Sequence, residues 1–239
     1  MFAGKEKPFV QINGAVSADG KLALENLSLI QFSSSRDRNL VFVLRSGVDA
    51  VLSGATTVET FSIDLAAGGP QWRRKRVRRG LSAEPLRVIV SDDADFDPQS
   101  CLLKKGNSPV ILLTTARAPT RRVRALEKAG VEVIKFGKET VSFAPAFRWL
   151  RDRHGVNRIV CEGGGITNAA LLRASVVDEV HITLCPLVLR GATAPTICDS
   201  AGFTSRLKLK SARPCQGEIF LIYQVQAGAE RRSRIRPSA

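Results

Sequence analysis

The chain has 239 residues, of which 44% are hydrophobic, and a formal net charge of +14 at neutral pH. This length predicts one domain with its own core, and the lack of an 18-residue apolar run argues against a membrane span. Five scattered cysteines without a C-x-x-C pair, only two histidines and no signal-peptide pattern predict a cytoplasmic protein with neither disulfides nor a metal site.

Apolar runs rich in Val, Ile and Leu alternate along the chain with helix-like segments. Strands are predicted, in chain order, at 8–13, 49–54, 86–91, 109–115, 131–136, 157–161 and 178–191. Helices are predicted at 35–47, 118–130, 142–155 and 166–175, and the first three end in glycine. This alternation predicts an α/β fold with a mostly parallel sheet flanked by helices. Residues 205–226 predict two further strands, added antiparallel at one edge of the sheet.

The excess positive charge is concentrated in two segments. Six positive charges lie in Arg73–Arg79 and a net three in residues 230–239, which leaves the rest of the chain at +5. We predict little regular structure for residues 66–83 and a disordered basic tail at residues 227–239. For Arg73–Arg79, a solvated loop and a loop that closes over a phosphorylated substrate both stay open. Nucleic-acid binding is disfavoured because only Trp72 supplies a ring for stacking.

A strand, three consecutive glycines and a helix follow one another in Cys161–Leu172, "CEGGGITNAALL". Glycines allow a ligand to approach the backbone, and unpaired N–H groups at a helix start favour anions such as phosphate. The spacing is neither G-x-G-x-x-G nor a P-loop, so a plain strand-to-helix turn is the alternative. Polar segments also follow the strands at 8–13 and 49–54. Because ligands bind at the carboxyl ends of parallel strands, we expect these segments to share one site.

The ordered set "INGAVSADGKLAL", "LRSGVDAVLSGATTV", "LRVIVS", "VILLTT", "IVCEGGGITNAALL" and "VDEVHITLCPLVLRG" resembles the riboflavin-biosynthesis pyrimidine reductases, from about Pro8 to Gln226. These are the C-terminal reductase domains of bifunctional deaminase-reductases and their stand-alone relatives. The deaminase motifs H-x-E and P-C-x-x-C are absent, as in the stand-alone type. The resemblance implies a dihydrofolate-reductase-like fold over residues 1–226 and a homodimer. It also implies NADPH-dependent reduction of the ribosyl group of a diaminopyrimidinone ribosylamino 5′-phosphate to a ribityl chain.

The resemblance further implies roles for individual residues. Glu162 and Asn13 would be catalytic, and Ser17, Ser33 and Arg45 would bind substrate, with Arg45 suited to the 5′-phosphate. The cofactor's pyrophosphate and nicotinamide would lie along one set of residues, namely Gly54, Thr56, Thr57, Val58, Gly163, Gly164, Gly165 and Ile166. The adenosine end, with its 2′-phosphate, would contact Ser91, Thr114 and Thr115.

Structural roles are alternatives at several of these positions. Glu162 could accept hydrogen bonds from the glycine N–H groups, and Asn13 could cap the first strand. Arg45 could form an ion pair at a helix C-terminus, where cations are favoured. His181, inside an apolar strand, is expected to be a hydrogen-bonded core or interface residue.

The sequence also departs from the family pattern. Phe61 and Ser62 stand where relatives carry an acidic pair, Asp64 lies nearby, and Phe42 stands where many relatives have histidine. A reductase of the same family with a different small-molecule substrate is therefore an alternative function. A basic nucleic-acid-binding module on this scaffold and a reductase retained only for binding are the others.

Overall fold

The computed structural model describes residues 7–26, 33–104, 108–200 and 202–226. Its strands are β1 (Phe9–Ser17), β2 (Ala50–Gly54), β3 (Leu86–Val90), β4 (Val110–Thr114), β5 (Glu132–Lys135), β6 (Arg158–Cys161), β7 (Glu179–Cys185), β8 (Leu207–Cys215) and β9 (Glu218–Val225). They form one sheet in the order β5-β4-β3-β2-β6-β1-β7-β9-β8. Neighbours from β5 to β7 are parallel, whereas β9 is antiparallel to β7 and β8. The predicted α/β fold, with antiparallel C-terminal strands, is confirmed.

The helices connect successive parallel strands. They are α1 (Ser35–Arg45), α2 (Ala55–Phe61), α3 (Pro70–Arg78), α4 (Cys101–Lys104), α5 (Thr120–Lys128), α6 (Phe143–His154) and α7 (Gly165–Arg173). The four predicted helices are present, and α2, α3 and α4 are additional. None of the helices in the described ranges is long and apolar enough to cross a bilayer.

Two apolar cores cover the two faces of the sheet. On one face α6 buries residues spaced three and four apart, which form one helical stripe: Phe143, Ala146, Phe147 and Leu150. On the other face Val123 and Leu126 of α5 pack against the central strands. Every residue of β4 is buried, as its continuous apolar run predicts for a strand covered on both faces.

The position of β6 creates the crevice in which the polar residues meet. After β5 the chain returns to the centre of the sheet, and β6 inserts between β2 and β1. β2 and β6 are each followed by a glycine-bearing turn and a helix, and their carboxyl ends lie side by side. This reversal of strand order is where open α/β sheets bind ligands.

The basic segment has more structure than the sequence suggested. Our prediction of little regular structure for residues 66–83 is wrong, because Pro70–Arg78 forms α3. Arg76 is 1% exposed, and its guanidinium donates to the carbonyl oxygens of Arg45, Val48 and Ser82. The ring of Trp72 stacks on Phe42, with 6.1 Å between centroids. One buried arginine and one tryptophan therefore attach this polar helix to α1.

Two other predicted boundaries have different outcomes. The strand predicted at 178–191 is wrong beyond Cys185, where β7 ends, because Pro186 has no N–H for the sheet. Residues 227–239 lie outside the described residues, so the basic tail and the domain boundary at residue 226 stay predictions.

Candidate functional site

The turns that follow β2 and β6 contact each other directly. The N–H of Gly54 donates to the carbonyl of Gly163 at 3.3 Å. A Cβ on Gly54 would lie 2.5 Å from Oγ1 of Thr167, and a Cβ on Gly164 would collide with Oγ1 of Thr57. Glycine is therefore required at both positions for the two turns to pack.

Gly163 differs from its neighbours because it faces open space. Its φ is +114°, a conformation that favours glycine, and a Cβ there would meet no described atom within 4 Å. The first residues of α7 follow, and no side chain caps the N-terminus of this nine-residue helix. Ile166, in its first turn, is 76% exposed. The start of α7 thus offers backbone N–H groups without a side-chain cap, next to an exposed apolar side chain.

Glu162, directly before the glycines, forms a bidentate ion pair with Arg45. Nε of Arg45 donates to Oε1 and Nη2 donates to Oε2, each at 2.6 Å. The Arg45 side chain is 5% exposed and the Glu162 side chain 9%. Burial would lower the pKa of Arg45, but Glu162 and then Asp64 outweigh it and raise that pKa. The contacts with Glu162 and Asp64 thus outweigh the cost of burying the Arg45 guanidinium.

The remaining Arg45 donor holds the loop after α2. Nη1 donates to the carbonyl of Ala66 at 2.6 Å and lies 3.4 Å from Oδ1 of Asp64. Three parts of the chain therefore meet at Arg45: the end of α1, the turn after β6 and the loop around Asp64. Arg45 therefore forms the ion pair that was the structural alternative for this residue. Contact of Arg45 with a substrate phosphate stays a prediction.

Asn13 lies on β1 at the level of Glu162, because Ile12 and Cys161 are paired neighbours. Its side chain is buried, and its Oδ1 has no hydrogen-bond partner in the described part of the chain. A buried amide oxygen without a partner is costly, so a donor from a ligand would stabilise it. His181, directly opposite on β7, is held instead by Glu179 at 3.0 Å.

Glu179 links His181 to the edge of the sheet. Its other oxygen accepts from Nζ of Lys210 at 2.5 Å. Burial would raise the pKa of Glu179, but the Lys210 and His181 contacts lower it overall. His181 is therefore a hydrogen-bonded residue inside the sheet, as the sequence predicted.

The other two predicted substrate residues make local contacts. Ser17 is fully buried; its Oγ donates to Oδ1 of Asp19 at 2.6 Å and accepts from the N–H of Lys21. The hydroxyl of Ser17, with the N–H groups of the loop after β7, lowers the pKa of Asp19 to about 2. The carbonyl of Ser33 accepts from Arg38 at 2.9 Å. Their contacts with substrate stay predictions.

The predicted cofactor residues divide into exposed and buried groups. Thr56 is exposed and Thr57 half-buried, whereas the side chain of Val58 lies in the core and leaves only its backbone near the turn. Gly165 packs against Asp199 and the carbonyl of Thr196. The fixed position of Gly165 keeps the start of α7 against the rest of the fold.

Ser91, Thr114 and Thr115 lie together where β3 and β4 end. Both threonine hydroxyls are buried and donate to the carbonyl of Asp92, at 3.2 and 2.6 Å. The hydroxyl of Ser91 binds Asp93. These three hydroxyls thus shape the turn after β3.

A surface cavity of about 520 Å³ opens beside this turn. It lies between the loop after β3 and the start of α5, and charged residues of both signs line it: Glu59, Asp95, Asp97, Arg121 and Arg122. Arg122 is already paired with Asp93 at 2.9 Å and with Asp95 at 3.1 Å. Arg121 makes no ion pair within the ranges that the structure describes.

Sequence reasoning missed several residues of this region. Thr167 packs against Gly54, Asp64 shares Arg45 with Glu162, and Arg121 lines the cavity. Of these, only Asp64 had a sequence signal, its nearness to the missing acidic pair. In the described residues, no three His, Cys, Asp or Glu side chains form a group that could hold a metal ion.

Residues 8–221 match the sequence family described as the RibD C-terminal domain. The chain belongs to this family. It is 31% identical over 204 residues to the 2,5-diamino-6-ribosylamino-4(3H)-pyrimidinone 5′-phosphate reductase of Archaeoglobus fulgidus, covering 85% of this chain and 92% of that protein. It is 30% identical over 202 residues to the enzyme of the same name from Aquifex aeolicus, covering 83% and 85%.

Solved structures of other proteins share the fold of this chain. A pyrimidine reductase-like protein from Corynebacterium diphtheriae superposes with a TM-score of 0.75 at 25% identity, over 92% of this chain and 93% of that one. The riboflavin biosynthesis reductase Rib7 of Saccharomyces cerevisiae superposes with a TM-score of 0.70 at 17% identity, over 95% and 93%. The predicted reductase-type fold and the predicted family are confirmed.

Proposed function

We propose that the protein is an NADPH-dependent reductase. Its substrate would be a 2,5-diamino-6-ribosylamino-4(3H)-pyrimidinone 5′-phosphate, whose ribosyl group it reduces to a ribityl chain in riboflavin biosynthesis. The observation that carries the proposal is the Arg45-bound Glu162 placed directly before the open Gly163 turn. Two relatives of matching length carry the name of this reductase.

The turn after β6 fits the pyrophosphate of a dinucleotide. Gly163 leaves room for close approach, the start of α7 offers uncapped N–H groups, and the helix dipole favours negative charge. Gly54, Thr56 and Thr57 would hold the cofactor from the neighbouring turn, with Gly164, Gly165 and the backbone of Val58 keeping both turns in place. The exposed side chain of Ile166 would cover an apolar part of it. When bound there, the nicotinamide supplies the hydride, so the protein's task is positioning.

Glu162 and Asn13 are the residues that we assign to the substrate. Arg45 fixes the orientation of the Glu162 carboxyl group through two hydrogen bonds, so Glu162 would accept a hydrogen bond from a sugar hydroxyl on one defined side. Oδ1 of Asn13 would accept a second hydrogen bond from the substrate, which satisfies its own missing partner. Arg45 is in this proposal a positioning residue. Ser17 and Ser33 would shape the rest of the substrate pocket.

The cavity beside Ser91, Thr114 and Thr115 is our candidate for the adenosine end. Arg121 lines this cavity and makes no ion pair with any described residue, so it is our candidate for binding the 2′-phosphate. We therefore expect Arg121→Gln to raise the Kd for NADPH by about tenfold and to leave the Kd for NADH nearly unchanged.

Fluorescence titration with both dinucleotides measures this selectivity. Arg124→Gln is the matched control, because Arg124 is an exposed arginine of the same helix outside the cavity. Equal losses for NADPH and NADH in the Arg121 variant would contradict the assignment of the 2′-phosphate.

We also propose that the protein works as a cytoplasmic homodimer. The exposure of β8 supports the homodimer, because β8 is an edge strand whose first eight residues are all exposed. Leu207 and Leu209 on it are 41% and 51% exposed, and Ile219 of β9 is 36% exposed. A long exposed edge with apolar side chains is a surface that proteins commonly cover.

The main alternative is a reductase of the same family with another small carbonyl or imine substrate. It rests on Phe61 and Ser62, which occupy the places of the acidic pair; Ser62 ends α2 in a left-handed conformation. Asp64 approaches Arg45 from the following loop, so an acidic group does lie near the Arg45–Glu162 pair, but at another position of the chain than the expected acidic pair.

One experiment separates the two functions. NADPH oxidation is followed with purified protein and the diaminopyrimidinone ribosylamino 5′-phosphate, and NADPH binding is measured alongside. Turnover at an ordinary enzymatic rate is the expected result. NADPH binding without turnover would point to the alternative substrate, and no NADPH binding would refute both.

A further inference from the structure

A second surface cavity lies at the amino ends of β2 and β6, opposite to the carboxyl ends that carry the glycine turns. It has a volume of about 540 Å³ and is lined by Gly47, Asp49, Arg79, Leu81, Arg151, Asn157 and Arg158. These residues come from the loop before β2, the end of α3, the last turn of α6 and the start of β6. Four separate parts of the chain thus bring three guanidinium groups around one space.

The three arginines keep most of their donors for a ligand. Arg151 makes no ion pair with any residue that the structure describes. Arg158 lies over the ring of Phe9, 4.8 Å from its centroid, a contact that leaves the edges of the guanidinium accessible. Within the described ranges, Arg79 donates only through Nη1, to the carbonyl and hydroxyl oxygens of Ser46 at 3.1 Å each.

The single carboxylate of the cavity does not neutralise them. Oδ2 of Asp49 accepts from the backbone N–H groups of Asn157 and Arg158, at 2.9 and 2.8 Å. These bonds fix the strand start that carries Arg158. Three guanidinium groups against one carboxylate leave the lining with an excess of positive charge, which attracts anions.

We propose that this cavity binds a small anion with two adjacent phosphate-like groups, of the pyrophosphate class. Planar guanidinium groups match phosphate oxygens in pairs, and three of them around one cavity exceed what a single phosphate needs. A nucleic-acid strand is a poorer occupant, because no aromatic residue that could stack on a base lines the cavity. The site lies at the amino ends of β2 and β6, so its ligand does not compete with one at the carboxyl ends.

The test is a residue-resolved NMR titration of ¹⁵N-labelled protein with inorganic pyrophosphate at physiological ionic strength. We expect saturable shifts of the Gly47, Asn157 and Arg158 amides, separate from any at Gly163 and Gly164. Shifts confined to the glycine turn, or no saturation below about 10 mM, would overturn the proposal. The readout is thus independent of whether the glycine turn binds NADPH.

Variants then assign the anion to the cavity. Arg151→Gln and Arg79→Gln are each expected to weaken pyrophosphate binding at least about fivefold, since each removes a charged donor. Arg74→Gln is the control, an exposed arginine of α3 that removes the same charge outside the cavity.

Two results would overturn the assignment. Equal weakening in the Arg74 variant would show attraction by the general charge rather than a site. Tighter binding of a 20-nucleotide single strand than of pyrophosphate, lost equally in all three variants, would assign the surface to nucleic acid. Thermal unfolding of each variant confirms that it is folded before titration.

Discussion

Replacing Ile166 by aspartate is expected to weaken NADPH binding by at least about tenfold while the fold stays intact. The side chain is 76% exposed in the first turn of α7, beside the proposed pyrophosphate position. A new carboxylate there faces the two negative charges of the pyrophosphate, and at partly screened distances each costs on the order of 1 kcal/mol. Since acidic residues stabilise a helix N-terminus, the substitution does not weaken α7 itself.

Ile166→Asn is the matched control for this prediction. It removes the same apolar surface without adding charge, so it isolates the electrostatic part of the effect. Binding is followed by NADPH fluorescence at low and high salt, and the difference between the two variants should shrink as salt rises. If the Ile166→Asp and Ile166→Asn variants bind NADPH equally well, the pyrophosphate does not lie at the start of α7.

A substitution at Gly164 would be a less informative test of the same site. A Cβ there would collide with Thr57, and its φ of +54° is unfavourable for most residues. Loss of binding in such a variant could come from separation of the two turns. The exposed Ile166 position avoids this ambiguity.

The fold could be predicted largely from the sequence because its strands are continuous apolar runs. The run at 109–115 becomes β4, and the glycine after α6 is in the left-handed conformation that ends helices. α3 could not be predicted in this way. Its inward positions are Trp72 and Arg76, and an arginine buried by backbone carbonyls has no signal in a hydrophobic pattern.

The sequence supplied candidate site residues, which stay predictions, but not the geometry that the structure shows among them. Glu162 and Arg45 were predicted as site residues from the resemblance to the reductase family. Their contact joins residues 117 positions apart, and it depends on β6 inserting between β2 and β1. Strand order is set by the packing of the whole sheet, so local sequence does not reveal it. The unpaired Oδ1 of Asn13 likewise becomes visible only when its neighbours are known.

Substitutions in the Arg45–Glu162 pair are expected to have different effects on stability and on catalysis. Arg45→Met leaves a nearly buried carboxylate without its partner, and loss of one partner of such a pair costs about 3–5 kcal/mol of unfolding free energy. Glu162→Gln leaves Arg45 with Asp64 and the carbonyl of Ala66, so we expect a smaller loss of stability. If Glu162 contacts the substrate, that second variant should lose at least about a hundredfold in kcat/KM, because a charge-assisted hydrogen bond is removed.

The double variant Arg45→Met with Glu162→Gln decides between the two roles. Removing both charges eliminates the unpaired carboxylate, so stability should recover by most of what the Arg45 variant lost. Activity should not recover, because the group proposed to contact the substrate is still missing. Urea unfolding and NADPH oxidation measure the two quantities on the same protein. A double variant that is both stable and active would mean that Glu162 serves only to neutralise Arg45. Arg45→Met as stable as the unmodified protein would mean that the carboxylate is solvated.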